Sequence, residues 1–310
     1  MDEGLYLATS IWHDGQESIL GDDTVVISDS HAKPLFKALA EVTRCLGSES
    51  FSRALINTIG TLVPVDSMAA VAFPQQARPL LLSEETRQDV IPKDGDLANY
   101  MDGAYLLDPF FRATLEQLPS GFYRLKTIAP DNFYDSEYFR QYYQFSNLTD
   151  EVGYLLAKDS GAYLHLSLAR IEPYSPDELK ALEWMAPWLL EVMDQQWSAT
   201  LSQREESPEE VTMHGQLSRA FENFGRSMLT DRECEVSHLI LHGHSTKSMA
   251  SRLDISIETI KVHRRNLYGK LDISSQPELF ALFLNSLSLV GEDAESDPLI
   301  AYHSTQNGPQ

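Results

Sequence analysis

The sequence predicts an α+β protein with two folded parts, an α/β/α sandwich followed by a bundle of four helices. Segments with helical spacing of apolar residues flank a central set of short strand-like segments in the first part. In the second part, four consecutive segments each begin with a serine or threonine that can cap a helix. We divide the chain into a flexible acidic arm, a sandwich, a linker, a helical module and an acidic polar tail, over residues 1–30, 31–199, 200–224, 225–290 and 291–310.

Composition is that of an ordinary globular protein, with 43% hydrophobic and 23% charged residues. No apolar run approaches the roughly 20 residues that span a bilayer, so no membrane segment is expected. The first residues lack the basic start and apolar run of a signal peptide. Cys45 and Cys234 fall in different predicted domains, so we expect reduced thiols in a cytoplasmic protein.

Charge is distributed unevenly along the chain. The net charge is −22, yet residues 229–287 contain seven basic and seven acidic side chains. Within that segment, residues 257–271 carry four basic side chains and one acidic one. The acidic remainder would repel DNA phosphates while this short stretch would attract them, which favours selective over general DNA binding.

Helices and strands alternate in the predicted sandwich. Apolar spacing predicts helices from Pro34 to Leu46 and from Phe51 to Val63. Strands are predicted at residues 67–73, 78–82, 152–157 and 162–170, with a turn at Asp159-Ser160-Gly161 between the last two. Short helices are predicted at residues 97–100, 109–118 and 136–145, and a long helix follows the capping box of Ser175 and Glu178. This order suggests a sandwich of the GAF or PAS type.

The predicted helical module holds a helix suited to a DNA groove. Thr230, Ser245, Ser256 and Ser275 are the predicted caps of its four helices. The third helix turns apolar side chains inward and presents Lys261, Arg265 and Tyr268 on its outer face. A helix of this kind can enter the major groove while its back packs on the bundle, so the sequence predicts binding to double-stranded DNA.

The fourth helix of the module carries more apolar surface than a small bundle needs. We therefore expect a seam between two copies of the chain, formed by Leu279, Phe280, Phe283 and Leu287. A homodimer of this kind would match a DNA site with two-fold symmetry.

Residues 229–287 resemble the helix-turn-helix domain of LuxR-type transcription regulators. The matching residues run through all four helices and include Thr230, Glu233, Gly243, Lys247, Ala250, Leu253, Ser256, Thr259, Ile260, Lys261, Asn266, Lys270 and Leu271. The resemblance implies that Lys261, Val262 and Arg265 face bases. It implies that Lys247, Thr259 and Arg264 contact phosphates or flank the readout. Tyr268, on the predicted outer face, and Lys270, in the basic stretch, complete the predicted DNA-binding set. RNA polymerase is a further candidate partner of such a regulator.

Asp108-Pro109 predicts the start of a helix, with Asp108 as its cap. The same carboxylate could bind an amide, hydroxyl or amine of a small effector between aromatic walls, and both roles could hold together. The predicted effector-binding residues are Tyr100, Tyr105, Asp108, Phe110, Tyr138 and Tyr142. The aromatic stripe at residues 133–145 could equally be core, and Glu151 and His165 could add polar contacts.

The stretch around Asp108 also resembles, in part, the acyl-homoserine-lactone receptors of the same family. Those receptors have tryptophans close before this stretch, whereas the first tryptophan after Trp12 is Trp184. The spacing from tyrosine to Asp108 is also one residue shorter. The chain therefore resembles LuxR-type regulators that are not typical lactone receptors.

Other classes of function fit the sequence less well. Asp22-Asp23 resembles the acidic pair of a phosphorylation-controlled response regulator, but no apolar strand ending in a lone aspartate follows at the required distance. The sequence lacks the nucleophile, zinc-protease and phosphate-loop motifs of common enzymes, so neither catalysis nor a cofactor or metal is expected. The sequence predicts a transcription regulator that responds to a small-molecule effector. The alternative is a regulator that is constitutive or controlled by a protein partner.

Overall fold

The computed structural model of the protein describes residues 5–6, 26–27, 29–86, 100, 103–143, 148–203, 208–288 and 296–306. The strands in these residues are β1 (Leu5–Tyr6), β2 (Val26–Ile27), β3 (Ser67–Phe73), β4 (Leu80–Thr86), β5 (Gly121–Arg124), β6 (Asp150–Ala157) and β7 (Tyr163–Arg170). The first six helices are α1 (Asp29–Cys45), α2 (Phe51–Ile59), α3 (Pro109–Leu115), α4 (Leu125–Ile128), α5 (Glu137–Tyr142) and α6 (Pro176–Gln203). The other six are α7 (Pro208–Asn223), α8 (Asp231–Leu241), α9 (Thr246–Leu253), α10 (Ile257–Lys270), α11 (Gln276–Leu287) and α12 (Pro298–Gln306).

Most of the predicted arm at residues 1–30 lies outside the described residues, and so does Asp22-Asp23. Its described part contains a short antiparallel pairing in which Leu5 of β1 lies opposite Ile27 of β2. The predicted helix at residues 97–100 is described only at Tyr100. No helix in the described part of the chain has both the length and the apolar character that a bilayer crossing requires.

The sheet has five antiparallel strands in the order β4-β3-β7-β6-β5. The four predicted strands are confirmed, with the second moved to residues 80–86. The turn between β6 and β7 closes as expected, because Gly161 takes a left-handed φ of 81° that favours glycine. The fifth strand, β5, was missed because it is a four-residue edge strand, too short to show an alternating pattern.

One face of the sheet is covered by α1, α2 and α6. Their apolar side chains form one core with the sheet residues Met68, Ala70, Val152, Leu164, Leu166 and Leu168. The predicted start of α6 is confirmed: Ser175 N donates to Glu178 Oε2 at 2.8 Å, and Glu178 N donates to Ser175 Oγ at 3.3 Å. This reciprocal bonding satisfies two amides that the first turn leaves free.

The other face of the sheet is covered by short helices, which confirms the predicted α/β/α sandwich. Phe73 of β3 meets Phe111 of α3 with ring centroids 5.4 Å apart. Tyr105 lies edge-on to Phe111 at 5.0 Å, in a 3-10 turn at residues 104–107. Because every strand has apolar side chains on both faces, both layers of helices are needed to exclude water.

The predicted linker at residues 200–224 is largely helical. The last residues of α6 and all of α7 fall within it. Phe221 of α7 stacks on His238 of α8 at 4.8 Å and meets Phe283 of α11 edge-on at 5.3 Å. The apolar residues of α7 were overlooked because the acidic stretch around Pro208 suggested a loop. The segment is therefore folded against the helical module.

The predicted polar tail at residues 291–310 also contributes structure. It holds α12, whose Leu299 is fully buried. The carboxylate of Asp297 accepts from Gly225 N at 3.0 Å and from Ser227 N at 2.8 Å. These bonds tie the tail to the turn between α7 and α8.

The sandwich and the helical module share one apolar core. Phe133, Tyr138 and Phe139 from the sandwich belong to the same buried cluster as Ile240 and Phe280 from the module. Asn132 N donates to Gly243 O at 3.0 Å. Gly243 has a φ of 87°, and a Cβ there would stand 3.0 Å from Phe133 Cα, so the close approach requires glycine. The two parts are therefore docked.

The predicted dimer seam on α11 is not open to a second copy in this structure. Leu279, Phe280, Phe283 and Leu287 are all less than 5% exposed within one chain. They pack on α7, on α5 and on α12. The extra apolar surface of α11 is explained by these three neighbours, two of which the sequence analysis had placed in a linker and a tail. A homodimer remains a prediction.

Two glycines give a paired test of packing. A Cβ at Gly153 would stand 2.3 Å from Phe110 Cε1 and 2.6 Å from His165 Nε2, whereas one at Gly269 would meet nothing within 4 Å. We expect Gly153→Ala to lower the free energy of unfolding by about 1–3 kcal/mol, because the buried rings have no room to move. Gly269→Ala should raise it by up to about 1 kcal/mol through helix propensity. Urea unfolding measures both, and a Gly153→Ala protein as stable as the parent would contradict the packing described.

Candidate nucleic-acid interface and sensing site

The helical module has the geometry of a helix-turn-helix. Ser245 caps α9 and Ser256 caps α10, each accepting from the backbone amide three residues on at 3.1 Å. Between the helices Asp254 takes a left-handed φ of 52°, a conformation that aspartate tolerates. Ile255 N then donates to Ala250 O at 3.0 Å, which closes the turn. The capping box of Thr230 and Glu233 at the start of α8 is confirmed.

Recognition helix α10 presents a basic face to solvent. Lys261, Val262 and Arg265 are exposed, whereas Ile260 and Leu267 are buried against the bundle. Lys247, near the start of α9, is exposed as well. These placements agree with the sequence analysis and leave the side chains free to approach a DNA groove.

Other predicted DNA-binding residues make contacts within the helical module. The Tyr268 ring lies under the Arg264 guanidinium at 5.5 Å, and its hydroxyl is buried, so Tyr268 does not share the outer face with Lys261. Lys270 Nζ lies 2.7 Å from Oε2 of Glu233, whose side chain is 4% exposed. This bond joins the end of α10 to the start of α8, a structural role that spacing alone did not reveal. Thr259 is half-buried, and its hydroxyl lies 2.8 Å from Ser256 Oγ.

Asp108 caps a helix and also accepts a hydrogen bond from a tyrosine, and its role in effector binding stays a prediction. Its Oδ1 accepts from Phe110 N at 2.8 Å, which confirms it as the cap of α3. Its Oδ2 accepts from the Tyr100 hydroxyl at 2.6 Å. Burial raises the pKa of this carboxyl to about 6, although both hydrogen bonds act to lower it.

A second buried carboxyl lies near Asp108. Glu151 on β6 accepts from the Tyr143 hydroxyl at 2.6 Å and from Ser167 Oγ at 2.5 Å. Burial, and after it the charge of Asp108, raises the pKa of Glu151 to about 7. The two carboxyls, together with Tyr100, Tyr143 and Ser167, are called the carboxyl cluster below. Ser167 was missed because a lone serine in a strand gives no signal.

Some of the remaining predicted effector-binding residues lie near the carboxyl cluster, and others make contacts elsewhere. Burial raises the pKa of Tyr138, with Asp108 and Glu151 as further causes, and the Tyr138 ring lies 4.9 Å from that of Tyr142. Tyr105 points elsewhere, since its hydroxyl lies 2.9 Å from His214 Nδ1 on α7. Phe110 stacks on His165 at 4.3 Å, and both are buried.

Cavities adjoin the described part of residues 29–203, which is called the sensing half after its predicted role. One, of about 500 Å³, lies between α1, α2 and β4. A second, of about 460 Å³, lies between the end of β3, α3 and the start of β7, and is bordered by His214. A third, of about 400 Å³, lies between α3 and the helical module. Asp108 and Glu151 line none of these three cavities.

Comparisons with known proteins identify the family. The model of the luxR family of bacterial regulatory proteins matches residues 227–283. The chain is 36% identical over 186 residues to a putative HTH-type transcriptional regulator of Aeromonas salmonicida, covering 58% of this chain and 94% of that protein. The chain belongs to the LuxR family. It is a DNA-binding transcriptional regulator and not an enzyme.

Further similarities are partial. The nitrate/nitrite response regulator NarP of Escherichia coli is 48% identical over 58 residues, which is 19% of this chain and 27% of NarP. The crystal structure of the VqsR LBD domain from Pseudomonas aeruginosa is 28% identical and covers 52% of this chain and 94% of that one, with a TM-score of 0.47. Escherichia coli SdiA is 16% identical and covers 83% of this chain and 98% of that one, with a TM-score of 0.40.

The exposed face of α10 leads to a prediction on DNA reading. Replacing Lys261 or Arg265 with Ala should cost on the order of 1–3 kcal/mol of discrimination between promoter and unrelated DNA. Arg232→Ala is the matched control, because this arginine is also exposed but lies on α8 and pairs with Glu235. Equilibrium binding to both DNAs at one stated salt concentration measures the effect. If Lys261→Ala and Arg265→Ala bound both DNAs like the parent, the assigned face of α10 would be wrong.

The carboxyl cluster leads to a prediction on pH. Folding raises the pKa of Glu151 from about 4.5 to about 7, so the folded state binds more protons than the unfolded state between these values. Stability from this group is therefore present below the unfolded pKa and is lost as pH rises toward 7. Glu151→Gln removes this loss, and its free energy of unfolding relative to the parent should rise by about 1–3 kcal/mol from pH 4.5 to 7.5.

The measurement is urea unfolding of parent and Glu151→Gln across this pH range. Buried histidines such as His165 and His244 have lowered pKa values in the folded state. At low pH the unfolded state therefore binds more protons at these sites, which lowers stability and opposes the trend from Glu151. They are present in both proteins, so the difference between the two curves reports Glu151 together with its coupling to Asp108. A difference that does not change with pH would show that Glu151 does not titrate in this range.

Proposed function

We propose that this regulator is a cytoplasmic homodimer that binds a DNA site of two-fold symmetry and whose DNA affinity is set by a small-molecule effector. The observation that carries the proposal is the presence, in one chain, of an exposed basic recognition helix and a carboxyl cluster buried in a second domain. Burying carboxyls costs stability that hydrogen bonds only partly recover, so a cluster of this kind favours a role in recognition or specificity. The cluster therefore supports an effector site in the sensing half.

The proposed effector brings hydrogen-bond donors or a positive charge to Asp108 and Glu151. Both carboxyls now accept from hydroxyls and a backbone amide, and an amine or polyol could take over these bonds. Tyr100 is the side chain that such a ligand would displace from Asp108. Tyr138 and Tyr142 would form an aromatic wall, and Phe110 would close the site beside Asp108.

The proposed mechanism is a shift between docked and released positions of the DNA module. Asp108 caps α3, and α3 forms one wall of the cleft against the module. A ligand that changes the bonding of Asp108 would therefore move α3 relative to the module. The proposed mechanism does not depend on the predicted linker at residues 200–224, because most of that segment is helical.

The contacts of Asp131 support the proposal that docking on the sensing half restrains the DNA module. Its carboxylate accepts from Ser245 N at 2.9 Å and from the Ser245 hydroxyl, at the start of α9. The first helix of a helix-turn-helix crosses the DNA backbone, and helix N-termini attract phosphates. The carboxylate of Asp131 therefore competes with a DNA phosphate, so the docked form is proposed to bind DNA less tightly.

A regulator that is constitutive or controlled by a protein partner is the second candidate. It is favoured by the hydrogen bonds within the carboxyl cluster, in which Asp108 and Glu151 already have partners. On this alternative the cluster only fixes the shape of a surface that a partner, such as RNA polymerase, would contact. Control by phosphorylation has less support, since no feature of the described residues favours it.

The test is binding of the full-length protein to its own promoter DNA, with and without a small heat-stable fraction of host extract, at one salt concentration. We expect the extract to change the promoter affinity of the parent and of Asp177→Asn, an exposed control. Asp108→Asn should lose the response, because the amide still caps α3 but no longer offers a carboxylate. An affinity that no extract alters would favour the second candidate.

A further inference from the structure

The cleft of about 400 Å³ joins the sensing half to the DNA module. One wall is formed by α3 and by residues 127–131, and the other by the turn before α9 and by α9 itself. None of the predicted DNA-binding or effector-binding side chains lines it. The cleft is therefore a second site, separate from the carboxyl cluster.

Positively charged side chains line both walls of the cleft. Arg112 on α3 is partly buried, and its guanidinium lies 3.4 Å from the Glu116 carboxylate. Arg252 on α9 has neither an ion pair nor a hydrogen bond in the part of the chain that the structure describes. His244 is 6% exposed; its Nδ1 lies 3.0 Å from Ser248 Oγ, and its Nε2 has no hydrogen-bond partner.

These groups lie close enough to repel one another. Burial and then the charges of Arg252 and Arg112 lower the pKa of His244 to about 4. Burial also lowers the pKa of Arg112, and Arg252 lowers it further. A negative charge placed among them would relieve this repulsion.

Two carboxylates line the cleft, and neither forms an ion pair with Arg252. Asp131 uses both of its oxygens on Ser245, although its charge partly offsets the arginines by raising the pKa of His244. Glu116 faces Arg112 and is 57% exposed, so solvent screens its charge. Among the described residues, the cleft therefore keeps one arginine without an ion-pair partner and a buried imidazole nitrogen without a hydrogen bond.

We propose that this cleft binds a small oxyanion, the phosphate group of a small molecule, between Arg112 and Arg252 with His244 as a further donor. A guanidinium presents a planar fork of N–H donors that matches an oxyanion. His244 can donate from Nε2 in the neutral tautomer in which its Nδ1 accepts from the Ser248 hydroxyl. The cleft volume lies within the range of small-molecule sites.

A bound oxyanion would hold the two halves of the molecule together. Arg112 belongs to the sensing half and Arg252 to the DNA module, so the anion contacts both only while they are docked. A ligand that binds one arrangement preferentially increases its population. The cleft is thus a site at which an anionic metabolite stabilises the docked form, independently of the carboxyl cluster.

The test uses the full-length protein and inorganic phosphate as the probe. Phosphate is titrated against sodium chloride at matched ionic strength, and the thermal midpoint and the heat of binding are measured. The parent should show a saturable rise in midpoint. Arg112→Gln and Arg252→Gln should each weaken phosphate binding about tenfold or more, because each removes a charge-assisted hydrogen bond. Arg44→Gln is the control, since Arg44 lies on α1 beside Glu41 and far from the cleft along the chain.

Either of two results would overturn the proposal: no saturable response in the parent, or full phosphate binding by Arg252→Gln. Arg252 is exposed, so its replacement should not disturb folding, and this variant decides the question even if Arg112→Gln fails to fold. If the parent does not bind phosphate and Arg252→Gln loses promoter binding, the site is rejected. Arg252 would then be assigned to a contact with the DNA backbone. The assay contains neither effector nor DNA in its main arm, so its outcome does not depend on the proposed function.

Discussion

The turn at residues 130–133 packs directly on the turn at 243–245, and the relation between the two halves of the molecule depends on this contact. Gly243 allows the backbones to approach, Asn132 donates to its carbonyl, and Asp131 holds Ser245. Phe133 then joins the apolar core of both halves. In the proposed mechanism, this contact is the physical link between the sensing half and the DNA module.

The two polar sites lie on either side of α3. Asp108 begins this helix in the carboxyl cluster, and Arg112, one turn later, lines the cleft against the DNA module. Because α3 begins at Asp108 and also lines the cleft, a change in the hydrogen bonding of Asp108 can shift the residues that line the cleft. Small ligands whose charge matches either site can therefore shift the balance between the proposed docked and released forms.

The parts of the fold that the sequence predicted well have strong local signals. The capping boxes at Ser175 and Thr230 and the turn at Gly161 depend on neighbouring residues only, and all are confirmed. The seam predicted on α11 had to be corrected because its apolar residues are covered by α7 and α12. Those helices have mixed composition, and only tertiary contacts stabilise them.

The same distinction between local signals and long-range contacts applies to the candidate sites. The exposure of Lys261 and Arg265 could be predicted, because helical spacing is visible in the sequence. The bond from Tyr105 to His214 and the meeting of Arg112 with Arg252 join residues more than 100 positions apart. No local pattern encodes such pairs, so they could be found only in the folded molecule. The role of Lys270 as a partner of Glu233 was hidden for the same reason.

Promoter affinity of Asp131→Ala, measured beside Asp135→Ala in the full-length protein, tests the central claim most directly. Both variants remove one exposed carboxylate from the same segment, but only Asp131 bonds to Ser245. If docking restrains the DNA module, Asp131→Ala should bind promoter DNA more tightly than Asp135→Ala at the same salt concentration. Equal affinity of the two variants would contradict the claim that this contact controls DNA binding.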